Sequence, residues 1–216
     1  MTSPETGERR RRSPGFLIGL TLIALLLFSG FCALGAWQVQ RLGWKRDLIA
    51  RVDTRIHATP VPAPAKADPS DEYRHIFATG TFLHDRSTLV QAATVRGAGY
   101  WVLTPLRQRD GALLVINRGF VPEGRQDNPA NYRAPEGEVT VAGLLRMPES
   151  KGWLFSRAND PVDGKWYRRD VASIMGTRGL VPFAPYFIDA EASGPTGKLP
   201  IGGLTVVTFR NAHLSY

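Results

Sequence analysis

The sequence predicts a membrane-anchored α+β protein. An N-terminal transmembrane helix leads into a mainly antiparallel, barrel-like β-sheet domain with one or two helices. Three observations carry that prediction. Residues 16–36, FLIGLTLIALLLFSGFCALGA, hold no charged side chain. Beyond residue 73, short β-type runs alternate with Gly, Pro, Asp and Asn clusters at close intervals. Only one later stretch, WYRRDVASIMGTRG, carries helix signals, with Asp170 as N-cap and Gly176 or Gly179 as stop.

The elements follow in order. Residues 1–15 form a basic N-terminus containing RRRR at Arg9–Arg12. The 21 residues of 16–36 at about 1.5 Å each span roughly 30 Å, the thickness of a bilayer core. A cleavable signal peptide is the competing reading, with Ala33-Leu34-Gly35 as a weak cleavage site, but the apolar run exceeds an ordinary signal core. Trp37 and Trp44 follow where an interfacial aromatic belt would sit. Residues 37–58 continue the helix out of the membrane, with Val39, Leu42, Leu48, Ile49, Val52 and Ile56 near helical spacing. Residues 59–72, rich in proline, read as a linker or surface loop. Residues 73–210 form the β-rich domain, with strands expected at RHIFATGTF, STLVQAAT, GYWVLTPLR, ALLVINRGFV, EVTVAGLLR, APYFID and LTVVTF. Trp101, Trp153 and Trp166 are expected in or over its core.

Charge and composition exclude several functions. The net charge of +8 suits solubility and contact with anionic membrane lipid; no basic groove or known module points to nucleic acid. The single cysteine, Cys32, permits no intramolecular disulfide. Four arginines precede the apolar run and five basic residues follow it by residue 55, so charge counting does not orient the chain. No two histidines stand at helical ligand spacing, which argues against a zinc site. His84-Asp85 are neighbours whose side chains diverge on a strand, and no GxSxG nucleophile accompanies them. GPTGK lacks the strand-to-helix context of a phosphate loop. The protein is therefore expected not to be an enzyme.

An ordered set of motifs remains: LGAWQVQRLGWK, TGTF, GYWVLTPL, LLVINRGFVP, VAGLLRMPESKGW, ANDPVDGKWYRRD and LPIGGLTVVTFRNAHLSY. This set resembles the surfeit-locus cytochrome c oxidase assembly factors in their bacterial form. One departure is Phe120, where the family usually has Trp. The resemblance implies a helical hairpin, with residues 211–216 opening a second transmembrane helix that this chain does not contain. Residues 1–15 would then be cytoplasmic and the β-rich domain periplasmic, at a bacterial inner membrane; the acidic start MTSPETGE is unlike an organelle presequence. It further implies haem a as a transiently held cofactor. The oxidase catalytic subunit would be the partner, with haem a synthase a further candidate partner and the haem donor left open. His213, of the closing RNAHLSY, is the candidate axial ligand through the haem iron. Tyr216 is a weaker candidate beside the porphyrin. Arg210 and Arg41 could meet haem propionates at the membrane surface. The alternative is a scaffold that docks on an oxidase intermediate without binding haem.

Overall fold

The structure is a computed structural model that describes residues 14–133, 135–149, 157–192 and 198–204. It divides into two compact units at Ala50–Arg51. The first is the larger part of a helix, α1 (Pro14–Ile56), of 43 residues. Proline is tolerated at its first turn, where no intrahelical partner is lost. No proline interrupts it afterwards, so the apolar run and the amphipathic run form one helix about 65 Å long. Phe16, Leu26, Phe28 and Phe31 are exposed on it, and its glycines meet no neighbouring atoms. A helix apolar on every side suits a lipid surround. By length and composition it can cross a membrane.

The second unit is built on one seven-stranded sheet. Its strands are β1 (Val61–Pro62), β2 (His75–Phe82), β3 (Thr88–Thr94), β4 (Gly97–Gln108), β5 (Leu113–Pro122), β6 (Glu138–Arg146) and β7 (Phe183–Ala190). The order is β1-β2-β6-β7-β5-β4-β3, with a further pairing of β2 on β4. That pairing closes β2, β6, β7, β5 and β4 into a ring, and β1 and β3 flank it. The closure needs Gly80: a Cβ there would run into the Arg107 carbonyl across the seam.

Among the described residues five of the seven strand pairings are antiparallel, which agrees with the expected mainly antiparallel sheet, and two are parallel, which makes the sheet mixed. In those two, β1 runs parallel to β2, and β7 runs parallel to β5. The cause lies in the connections. Residues 123–182 carry β6 and a short helix before the chain returns to β7, long enough to cross over and enter beside β5 in the same direction. The proline-rich segment is also ordered at both ends. β1 lies on β2, and Asp68 caps a 3-10 turn at Pro69–Asp71. Of the expected strands, LTVVTF falls outside the described residues from Thr205 onward, as does Trp153.

Strand alternation sorts the core into two layers. Ile76, Phe82, Leu106, Leu114, Ile116 and Ile188 fill the ring. Tyr186 joins them and donates its hydroxyl to the Pro64 carbonyl at 2.6 Å, which ties down the proline-rich segment. Burial, aided by the charge of Asp71, pushes that hydroxyl up to about 12. Outside the ring, α2 (Val171–Thr177) packs Ile174 and Met175 with Trp166 against Leu103, Val115 and Phe187. Asp170 caps α2 through the Ser173 amide at 3.2 Å and hydroxyl at 2.8 Å, as the sequence predicts.

Two glycine substitutions test the seam. Gly80→Ala is expected to destabilise the domain by about 1–3 kcal/mol through backbone overlap. Gly176→Ala, in α2 with nothing near its Cβ position, is expected to stabilise it by about 0.5–1 kcal/mol. Opposite shifts in thermal unfolding temperature check both.

Candidate functional site

Arg210, His213 and Tyr216, the residues singled out by sequence, lie outside the described residues. The structure does describe the chain that leads to them. Ile201 exchanges both backbone hydrogen bonds with Phe120 of β5, each 2.9 Å. The Gly203 amide donates to the Ala190 carbonyl at 3.0 Å, at the end of β7. Gly119 makes this approach possible. Its φ is +127°, and a Cβ would overlap the Ile201 backbone. Phe120 is fully buried and meets the Trp101 ring edge-on, centroids 5.8 Å apart. Arg41 on α1 stacks over Trp37, 5.1 Å from its centroid.

The same edge holds the chain that leaves α1. Glu191, directly after β7, donates its amide to Ala142 of β6 and places its carboxylate 2.8 Å from His75 Nε2. His75 Nδ1 lies 2.7 Å from the Ala58 carbonyl. The residues just after α1, the start of β2 and the end of β7 thus come together around one imidazole.

Two strand residues away stands Asp189, whose side chain is only 3% exposed. A buried carboxylate is costly unless partnered. Here Asn117 donates to Oδ1 at 2.7 Å, Arg146 to Oδ2 at 3.1 Å, and Arg169 to Oδ1 at 3.3 Å. Arg146 also reaches Glu72 at 3.1 Å and covers the Tyr73 ring. Arg169 binds Glu149 through both Nε and Nη2 and lies over the Phe187 ring. Burial pulls the Arg169 pKa down, but the charges of Asp189 and Glu149 outweigh it and hold it above the ordinary value. Burial likewise raises Glu149, and the hydrogen bonds and charge of Arg169 bring it below the usual carboxylate range.

Arg118 on β5 is different. Its guanidinium donates to the carbonyls of Tyr132 at 2.6 Å and Arg133 at 3.0 Å, and it stacks over the Phe82 ring at 5.3 Å. No carboxylate lies within ion-pair distance of it among the described residues. Burial lowers its pKa to about 10, so it remains a cation at neutral pH.

Sequence reasoning missed this set. Arg118 was visible as a charge inside an apolar run, and Asp189 as the acid closing APYFID. Their partners lie far along the chain and become neighbours only through strand order. Among the described residues no three His, Cys, Asp or Glu side chains gather as a metal site. His84 is exposed, and its neighbour Asp85 pairs with Arg86 at 3.0 Å.

Taken together, these features define a small closed mixed barrel preceded by a long apolar helix, with a polar edge from which the C-terminal segment departs. The chain belongs to the SURF1 family, whose model matches residues 25–216. It is 35% identical to a SURF1-like protein of Monosiga brevicollis, over the whole chain and 85% of that relative. It is 37% identical to Surfeit locus protein 1 of Rattus norvegicus, over the whole chain and 74% of the relative. Cytochrome oxidase assembly protein SHY1 of Saccharomyces cerevisiae is 33% identical over 83% of the chain and 49% of the relative.

Arg169→Gln is expected to cost about 3–5 kcal/mol in a denaturant titration, because Asp189 stays buried with fewer partners. Acid unfolding tests Glu149. Its folded pKa is depressed, so its contribution is complete above the ordinary value of about 4.3 and is lost as pH falls through the lower folded value. Glu149→Gln is expected to flatten the fall in stability over that acid range, read from unfolding midpoints between pH 6 and 3.

Proposed function

We propose that this chain assists assembly of a haem-copper cytochrome c oxidase by binding haem a as cargo and helping its insertion into the catalytic subunit. It acts without turnover of its own. The observation that carries the reading is the match to the SURF1 family along nearly the whole chain, together with the name of the yeast relative as a cytochrome oxidase assembly protein. The closing RNAHLSY supplies the ligand: His213 offers an imidazole nitrogen to the haem iron. When bound, the haem brings the iron that His213 would ligate and two propionates that need cationic partners. Arg118, a desolvated cation with no carboxylate partner among the described residues, fits that demand.

In this reading, residues 16–36 anchor the chain in a bacterial inner membrane and the barrel lies on the periplasmic side. Tyr216 belongs to the interfacial aromatic belt, and Arg210 lies near the membrane surface. Haem a synthase is the donor and the oxidase catalytic subunit the acceptor. Family members in eukaryotes are matched over the same β-rich core, so the reading does not depend on a bacterial source.

The test is the haem a content of the oxidase catalytic subunit in membranes of cells lacking the gene. Restoring the wild-type chain is expected to recover haem a; His213→Ala, present at equal level, is expected to recover less than about a tenth. Full recovery by His213→Ala would leave a scaffold that docks on the oxidase intermediate without holding haem.

A further inference from the structure

We propose that Arg118 is a receptor for a carboxylate, and that in the loaded protein this carboxylate is a haem propionate. The inference rests on the haem reading above and extends it to a residue of the barrel itself.

The geometry is that of a prepared cation. Leu114 and Ile116 point into the ring, and alternation sends Arg118 the same way, onto the Phe82 ring. The ladder between β4 and β5 is irregular at this point: Trp101 pairs with Phe120, while Leu103 pairs with Asn117. Arg118 and Gly119 therefore oppose Val102 alone, a bulge that re-aims a side chain. The guanidinium is then fixed by two carbonyls of the 3-10 turn at Pro129–Tyr132 and the residue after it. Both partners are neutral.

The other deeply placed arginines show what this fold does when a cation is structural. Arg146 has Glu72 and Asp189; Arg169 has Glu149 and Asp189. Arg118 alone of the three has no acid among the described residues. A guanidinium has five donors in a planar fork suited to a carboxylate, and the two carbonyls leave donors over. A rigid cation held by neutral partners, with donors to spare, matches a carboxylate head, and a propionate-bearing macrocycle carries two. The position agrees as well. Gly119, the next residue, packs on Ile201, and the Gly203 amide bonds Ala190 on the adjacent strand β7. The site thus adjoins the chain that runs on toward His213.

The test uses the full chain in detergent with two probes, iron protoporphyrin IX and its dimethyl ester, followed by quenching of tryptophan fluorescence. The ester keeps the iron and the ring but removes both carboxylates. The wild type is expected to bind the diacid at least about ten-fold more tightly than the ester. Arg118→Gln keeps a donor for the Tyr132 or Arg133 carbonyl and loses the charge. It is expected to bind both probes alike, with ester affinity and unfolding temperature close to wild type. Arg118→Lys keeps the charge without the fork and is expected to fall between them. Retention of the full diacid preference in Arg118→Gln would overturn the assignment and leave the haem reading standing. Failure of the wild type to bind either probe would overturn both.

Discussion

Everything in the β-rich unit depends on β2 being paired on both sides. It lies along β6 for seven residues and along the end of β4 for three, and without the second contact the sheet would be open. Closure turns one face of a twisted sheet into an interior. It commits Ile76, Phe82, Leu106, Leu114, Ile116 and Ile188 to that interior, and it leaves the opposite face to be covered by α2 and Trp166. Gly80 at the seam is the local requirement; the alternation of β2 and β5 is the longer-range one.

The strand order of the sheet explains why charge can sit so deep. Strand β7 lies between β5 and β6, so that Asn117, Arg146 and Asp189 meet although they are distant in the chain. Each buried charge in that group has an opposite neighbour, which is the condition for tolerating it. The balance fixes the edge where Glu191 and His75 hold the residues after α1 and where Ile201 and Gly203 hold the departing segment.

Much of this was legible in the sequence, for reasons that can be named. Six expected strands fall on β2 to β7 because turn residues bound each β-type run. Asp170 was readable as a cap because capping is a local matter of three residues. The direction of β7 was not readable: nothing in APYFID says that a connection of some sixty residues will insert it beside β5 in parallel. β1 was hidden in a proline-rich stretch that composition marks as a linker. The ion cluster escaped for the same reason as the topology, since its members span Glu72 to Asp189. In the sequence Arg118 is only a charge within the expected strand ALLVINRGFV. Only the bulge and the neutral carbonyls around it distinguish a structural arginine from one left to receive an anion.

The central claim is that the chain itself holds haem. A pyridine-haemochrome spectrum of the full chain, purified in detergent from cells that make haem a, tests it most directly, with His213→Ala purified in parallel. The account predicts the haem a spectrum in the wild type and its loss in the variant. A haem-free wild type, or haem a retained equally by His213→Ala, would contradict it.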